Sequence, residues 1–164
     1  LAEMTSAQLS TYLASVTPAG TTYHDIGMIW GGRLISKTGL FATENADITG
    51  KPTGRHLIFL TDGQTEAYDI AYGAYGVEPL DRRRWSETST LTLNETVEKR
   101  FGVACAEVKK RNVTVWVIGF GTSVSNLMKQ CAGNGHWFKA DDASQLTSAF
   151  DKIAASMGDL RISK

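Results

Sequence analysis

The sequence predicts an α/β fold, a doubly wound, Rossmann-like parallel sheet with helices on both faces. Two short runs, residues 57–60 and 113–118, are almost entirely apolar, which is typical of parallel strands covered on both sides. A weaker strand is predicted at residues 136–140. Apolar residues at helical spacing fill the intervals between these runs. Alternating strands and helices favour right-handed crossovers onto a parallel sheet.

Two helices are predicted before the first strand. The apolar residues of the first helix are Leu9, Tyr12, Leu13 and Val16. Thr22 followed by Asp25 resembles a capping box, which predicts that the second helix begins there. The apolar residues of the second helix are Ile26, Ile29, Trp30 and Leu34. The tryptophans that we expect in the core are Trp30, Trp116 and Trp137.

Three further helices are predicted after the first strand. Two of them cover residues 95–111 and 123–132, and the last begins near Asp142 or Ser144. The apolar stripe of the helix at 95–111 consists of Val97, Phe101, Ala104, Cys105 and Val108. Residues 160–162 are predicted to add a short edge strand.

Charge and composition make nucleic acid and anionic lipid poor candidates as partners. Seventeen basic residues balance seventeen acidic ones among 164 residues, so no long-range field attracts nucleic acid or anionic lipid. No apolar run approaches the roughly 20 residues that span a bilayer. The chain begins at Leu1 without a secretory signal, and we expect it to be a piece of a longer protein.

Two cysteines, Cys105 and Cys131, lie on the helices predicted at 95–111 and 123–132. If the three strands run in order across the sheet, right-handed crossovers place both helices on one face. A disulfide is then plausible, and it would fit an oxidising compartment. Two buried thiols acting as small apolar groups are the alternative.

Asp62 directly follows the most apolar strand. In open α/β sheets, functional groups gather beyond the carboxyl ends of the strands, so this carboxylate offers a hard oxygen ligand at a crevice. Gly63 lets the backbone turn sharply beside it. The alternative interpretation of Asp62-Gly63 is an ordinary turn.

Residues 18–27 and 57–63 together resemble two of the three sequence elements of the metal-ion-dependent adhesion site of von Willebrand factor A (vWA) domains. The resemblance implies that Thr21 and Asp62 help to bind a divalent cation, Mg²⁺ or else Mn²⁺ or Ca²⁺. The downstream order of strands and helices is similar too, except at residues 64–94. The chain looks closest to TadG-like proteins of bacterial Flp (Tad) pilus assembly. Further support for that likeness comes from the two cysteines, residues 142–146 and the ending at 160–163.

The family's first metal motif, Asp-x-Ser-x-Ser, does not occur in the chain. The resemblance therefore implies that residues 1–164 are the C-terminal portion of a vWA-like domain, a partial doubly wound sheet without its first strands. Two ligands would hold Mg²⁺ weakly if at all, so the cation is expected mainly in the intact domain. A missing neighbour would leave strand 57–60 with an exposed edge, which favours a dimer or a swapped association.

The function implied by the resemblance is non-enzymatic. It is protein binding or scaffolding among pilus and envelope components, on the periplasmic side of the bacterial cell envelope, with a divalent cation assisting the binding. No nucleic acid partner and no membrane span in this piece are expected.

Residues 64–94 form a long segment without clear periodicity beside Asp62. Segments of this kind are usually functional or disordered. The segment is rich in the residue types that dominate interfaces, and the predicted partner-binding residues are Tyr68, Tyr72, Tyr75, Arg82, Arg83, Arg84 and Trp85. A loop folded over its own aromatic side chains is the alternative.

Two other functions are kept open. One is a metal-free vWA scaffold. The other is a metal-dependent hydrolase in which Asp62 holds the metal and His24 is the general base. A solvated histidine at a helix start is the simpler expectation for His24. No Gly-x-Ser-x-Gly motif and no phosphate-binding glycine loop supports an enzyme.

Overall fold

The protein is a mixed α/β domain in the computed structural model, which describes residues 4–17, 19–51, 53–70 and 72–159. The elements in chain order are α1 (Ser6–Ser15), α2 (His24–Leu34), β1 (Arg55–Thr61), α3 (Glu78–Asp81), α4 (Leu93–Lys109), β2 (Val113–Phe120), α5 (Asn126–Ala132), β3 (Trp137–Ala140) and α6 (Ala143–Asp159). The strand predicted at 160–162 lies outside the described residues.

The three strands form a parallel sheet in the order β1-β2-β3. Leu57 pairs with Val115 and Phe59 with Val117, while Val117 in turn pairs with Trp137. All three predicted strands are confirmed, and β1 and β2 are longer than the apolar runs that predicted them.

Helices cover both faces of this sheet, because alternate side chains of each strand point to opposite sides. On one face, Leu57, Phe59, Val115 and Val117 pack with residues of α2, α4 and α5 in one buried cluster. On the other face, Trp116 and Ile118 pack with α6. The α/β arrangement predicted from the sequence is confirmed at this level.

Helix α4 is the central helix of the larger cluster. Its N-cap Thr92 and Glu95 form a reciprocal capping box. Four of the five residues of its predicted apolar stripe are buried, and Ala104 is partly buried. Its periodicity is therefore a faithful signal of the face that packs on the sheet.

The prediction for α2 is wrong in two respects. Its N-cap is Tyr23, with no side-chain capping hydrogen bond, so the expected capping box does not form. Its buried residues are His24, Asp25, Met28 and Gly32, whereas Trp30 and Leu34 are exposed. The cause is the pair Gly31 and Gly32, whose lack of side chains lets the helix approach the core closely.

The apolar stripe predicted on α1 does not join the core. None of the residues of α1 is buried, although Thr5 and Gln8 form a capping box at its start. The four apolar side chains predicted to pack, Leu9, Tyr12, Leu13 and Val16, remain exposed. Helix α1 is therefore amphipathic in sequence, but its apolar side chains do not pack against the core of the domain.

Strand β1 lies at one edge of the sheet formed by the described residues. Leu60 lies on the face of the sheet that α6 covers, but at the outer strand and beyond the partly buried Ile58, and it is 48% exposed. Among the predicted core tryptophans, Trp116 is buried, but Trp30 and Trp137 are not. Trp137 belongs to β3, at the opposite edge from β1, and no further strand of the described residues pairs with β3 on its outer side.

Cys105 on α4 and Cys131 on α5 form a disulfide, with their Cα atoms 5.9 Å apart. The strand order β1-β2-β3 places the two crossover helices side by side on one face, as the topological argument requires. Of the two alternatives that the sequence leaves open, the disulfide is the one confirmed.

Candidate functional site

The structure brings Thr21 and Asp62 to the same open cleft at the carboxyl end of β1. The cleft has a volume of about 530 Å³. Its lining includes the apolar side chains of Phe59 and Phe120. Thr21 is partly buried and Asp62 is exposed. The two predicted ligands, forty-one positions apart in the chain, thus line one surface.

A two-bond backbone clamp joins the segments that carry these residues. The Thr22 N–H donates to the Glu66 carbonyl oxygen over 2.8 Å, and the Glu66 N–H donates to the Thr22 carbonyl oxygen over 3.0 Å. The pair forms an isolated antiparallel bridge. It holds the turn after β1 against the residues that lead into α2.

His24 adds a side-chain pin to the same turn. The imidazole is 5% exposed and lies between two threonines that bracket Asp62. His24 Nε2 is 3.1 Å from Thr61 Oγ1, and His24 Nδ1 is 2.9 Å from Thr65 Oγ1. The expectation that His24 is solvated is wrong, because the ring is buried and both of its nitrogens bind threonine hydroxyls. The ring also makes an edge-to-face contact with Phe59.

The hydrogen bonds around His24 specify a neutral tautomer. Thr61 donates its hydroxyl proton to the Gly63 carbonyl oxygen over 3.1 Å, so it accepts from His24 Nε2–H. The Thr65 hydroxyl then donates to Nδ1. Burial lowers the pKa of His24, which also favours the neutral ring. Both ring nitrogens are thus occupied by structural partners.

A buried ionic network lies beside the pin and was not predicted from the sequence. Asp25 is 0% exposed and Glu78 is 3% exposed. Two nitrogens of Arg100, Nη1 and Nη2, each donate to Glu78 Oε1 over 2.9 Å. Arg100 Nε lies 3.1 Å from Asp25 Oδ2, but its N–H is not directed at that oxygen, so this contact is electrostatic only.

Tyr75 completes the network from the long segment. Its hydroxyl donates to Asp25 Oδ2 over 3.0 Å, and Arg100 lies 4.4 Å from its ring centroid. Burial raises the pKa of Asp25, opposed by the hydrogen bond from Tyr75 and the charge of Arg100. Burial, with the Asp25 charge next, raises the pKa of Tyr75 to about 12, so Tyr75 remains a donor. Two carboxylates therefore share one guanidinium in the interior.

The other residues predicted to bind a partner have mixed surroundings. Tyr68 and Tyr72 are exposed. Arg83 and Arg84 both bind Asp81, each over 2.6 Å, and Arg84 also stacks on Tyr75 at 5.1 Å. Arg82, also exposed, adopts a left-handed conformation with φ 55° at the end of α3. These side chains therefore remain on the surface of the segment.

Two aromatic residues of the predicted set are partly buried within their own segment. Trp85 is one, and its Nε1–H donates to the Leu91 carbonyl oxygen over 2.9 Å. Tyr75 is the other, and its hydroxyl faces Asp25 rather than solvent. The segment therefore folds partly over its own aromatic side chains, while Tyr68 and Tyr72 face solvent. Partner binding by the exposed side chains stays a prediction.

The donor atoms of the cleft are of the type that Mg²⁺ prefers, a carboxylate and a hydroxyl oxygen, but they are too few for an octahedral shell. Among the described residues, no group of three or more His, Cys, Asp or Glu side chains is placed to hold a metal ion. Thr21 and Asp62 could therefore supply only part of a cation site.

Comparison of the chain with protein-family models, with curated proteins and with solved structures finds no match. The likeness to vWA domains consequently remains an expectation from the motifs. In the part of the chain that the structure describes, no helix combines the length and apolar character needed to cross a membrane.

Proposed function

We propose that the chain is the C-terminal portion of a vWA-like domain with a partial doubly wound sheet, and that it is a non-enzymatic protein-binding or scaffolding module. The observation that carries this proposal is the shared cleft of Thr21 and Asp62 at the carboxyl end of β1. Functional groups of open α/β sheets gather at this end. The motifs that contain both residues are the ones that resemble the adhesion site of the family.

In this proposal a divalent cation links the module to its partner. Thr21 and Asp62 supply two oxygen ligands, ligands outside this sequence supply others, and a carboxylate of the partner completes the shell. The clamp between Thr22 and Glu66 supports the idea, because it fixes the spacing of the two ligand-bearing segments before binding. The exposed Tyr68 and Tyr72 on the adjoining segment would select the partner.

The disulfide supports the proposed location. Disulfides persist in oxidising compartments such as the bacterial periplasm. A module of Flp (Tad) pilus assembly on the periplasmic side of the cell envelope would carry its Cys105–Cys131 bond in such surroundings. The proposed partners are pilus or envelope proteins.

The hydrolase alternative is disfavoured by the state of His24. A general base needs a ring nitrogen that can reach the water or substrate proton. Both nitrogens of His24 are hydrogen-bonded to threonine hydroxyls, and the ring is buried. We therefore assign His24 a positioning role at the turn that carries Asp62.

Calorimetric titration of Mg²⁺ and Mn²⁺ into the full-length protein, which would supply the ligands outside this sequence, tests the cation-assisted function against a metal-free scaffold. We expect heats of binding that Asp62→Asn removes. Asp141→Asn is the matched control, because Asp141 also follows a strand but is held by Lys139 at 2.8 Å. This control should keep the heats of the wild-type protein.

Equal heats from the wild-type protein and Asp62→Asn would overturn the assignment of the ligand. No heat from any variant would favour the metal-free scaffold, in which the same cleft would bind a partner without a cation. Each outcome concerns the cleft alone.

A further inference from the structure

A second concave surface lies between α2 and α4, away from the cleft. This groove has a volume of about 510 Å³, within the roughly 300–1,000 Å³ of ligand pockets. None of its lining residues also lines the cleft. Ile29, Ala104 and Val103 give it an apolar surface, and Val103 is 65% exposed. An apolar residue so exposed along a groove is open to contact from outside.

Close approach of the two helices shapes the bottom of the groove. A Cβ atom added to Gly32 would lie 2.5 Å from Val108 Cγ2, so the helices meet only because position 32 has no side chain. On the neighbouring position, a Cβ added to Gly31 would meet Leu57 of β1 at 2.8 Å. The two glycines therefore allow α2 to pack closely against β1 and α4, and the groove lies beside this contact.

The rim of the groove is positively charged. Arg33, Lys99 and Arg111 line it and are exposed, and among the described residues none of the three has an ion-pair partner. Arg33 stacks on the half-exposed Trp30 at 5.0 Å. The one carboxylate in the lining, Glu107, is bound by Lys110 Nζ over 2.6 Å. At longer range Arg111 also attracts Glu107, and Lys99 attracts Glu95. Cations nevertheless outnumber carboxylates in the lining, so the net charge around the apolar surface is positive.

We propose that the groove binds an acidic amphipathic helix of a protein partner. Apolar side chains of that helix would cover Val103 and its neighbours, and its carboxylates would meet Arg33, Lys99 and Arg111. Helix-in-groove recognition combines these two kinds of contact. Complementary charge between the groove and the helix would fix the register of the bound helix and select against basic partners.

An alternative occupant of the groove is helix α1 of a second copy of this chain. Its stripe of Leu9, Tyr12, Leu13 and Val16 is exposed. The helix carries no acidic residue in its first turn and no basic residue in its last, and its sequence from Ser6 to Ser15 is uncharged. The cationic rim therefore gains nothing from α1, and we assign the groove to an acidic partner.

Fluorescence anisotropy with labelled helical peptides of about 14 residues, four turns, tests this assignment. The first peptide has leucines along one face and glutamates elsewhere. The second has lysines in place of the glutamates, and the third has serines in place of the leucines. We expect the protein to bind the first peptide and to bind the other two at least about 10-fold more weakly.

Variants then locate the binding. Val103→Glu and the double variant Arg33→Glu/Lys99→Glu should each weaken binding of the acidic peptide by about 10-fold or more. The control is Lys152→Glu on α6, which covers the opposite face of the sheet and should leave binding unchanged. Circular dichroism checks that each variant is folded.

Three results would overturn the proposal. One is equal binding of the acidic and basic peptides, and another is no binding of the acidic peptide up to about 1 mM. The third is a concentration-dependent dimer, seen by sedimentation, that Val103→Glu dissociates, because this would assign the groove to a second copy. None of these results bears on cation binding by Asp62, so the two proposals fail separately.

Discussion

Replacing Arg100 with Met tests the buried network that anchors residues 64–94. The substitution keeps much of the aliphatic stem but removes the only cation that the described structure places between Asp25 and Glu78. These carboxylates are 0% and 3% exposed, so each would be left charged in the interior. Removing one partner of a buried ion pair costs about 3–5 kcal/mol.

The exposure of Arg100 and its aromatic contact narrow the expected loss of unfolding free energy. The Arg100 side chain is itself 21% exposed, which places the loss of its two carboxylate contacts near the lower end of that range. Its contact with the Tyr75 ring at 4.4 Å adds about 0.5–1 kcal/mol. We expect Arg100→Met to lower the free energy of unfolding by about 3–4 kcal/mol and Tm by roughly 10 °C.

Urea unfolding followed by tryptophan fluorescence and circular dichroism measures this loss. Arg83→Met is the control, since the Arg83 side chain is 80% exposed and solvent screens its ion pair with Asp81, so this variant should unfold close to the wild-type protein. Neutralising both carboxylates, with Asp25→Asn and Glu78→Gln, should restore about half of the stability that Arg100→Met loses.

The loss should also depend on pH. The charge of Arg100 opposes the rise that burial causes in the pKa of Asp25, so in Arg100→Met this pKa should rise further. Asp25 then takes up a proton at higher pH than in the wild-type protein, and the deficit should shrink as the pH falls. A loss below about 1 kcal/mol near pH 7, with an unchanged dependence on urea, would refute the reasoning. So would a deficit that is constant with pH.

Three further predictions concern packing, the pin and the disulfide. Gly32→Ala should lower the free energy of unfolding in urea by about 1–3 kcal/mol, because the added Cβ would lie 2.5 Å from Val108 Cγ2. Gly63→Ala is the control: no atom lies within 4 Å of its new Cβ, so it should change the free energy of unfolding by less than about 0.5 kcal/mol. The native state should lose stability below about pH 6.5, by at most ~1.4 kcal/mol per pH unit, because burial lowers the pKa of His24 and the unfolded chain then binds more protons. His24→Gln should remove that slope. Breaking the Cys105–Cys131 bond, which joins residues 26 positions apart, should cost about 3–4 kcal/mol, measured as the difference in urea unfolding with and without a reductant.

Each of these predictions has a contradicting result. Equal effects of the two glycine substitutions would show that the helices α2 and α4 do not meet as described. The slope due to His24 is read as the difference between wild type and His24→Gln, because the raised pKa of Asp25 acts in the opposite direction in both proteins. Identical pH profiles would contradict the buried, neutral ring. Unchanged unfolding after reduction would contradict a stabilising disulfide.

The parallel sheet was predictable because its signal is local. Strands covered on both faces must be apolar along their whole length, and residues 57–60 and 113–118 satisfy this requirement without reference to the rest of the chain. The disulfide needed one more step. The strand order had to be assumed before Cys105 and Cys131 could be placed on one face.

The ionic network was not predictable in this way, because its members are far apart in sequence. Asp25, Glu78 and Arg100 lie on three different elements and meet only after packing. One signal was available: Arg100 adjoins Phe101 and lies three positions after Val97, on the border of the apolar stripe of α4. An arginine at such a border can lay its stem on apolar surface and reach a group at the margin of the core, but its position does not identify that group.

Helix α2 shows why apolar periodicity failed. A pattern based on large apolar residues directs Trp30 and Leu34 inward, yet Gly31 and Gly32 bring the opposite side of the helix against the core. Dense packing of a helix on the core requires close approach, and a side with glycines can approach more closely than a side with large apolar residues. The same change of face brought His24 and Asp25 into the interior and produced both the pin and the network.

The central claim is that Thr21 and Asp62 together form part of a cation-binding surface. Nuclear magnetic resonance with substoichiometric Mn²⁺ tests it most directly, because the paramagnetic ion broadens the amide signals nearest to it. The account predicts broadening concentrated at residues 20–24 and 61–66, and its disappearance in Asp62→Asn. Broadening centred instead on Asp141 and Asp142, or an identical pattern in Asp62→Asn, would contradict it.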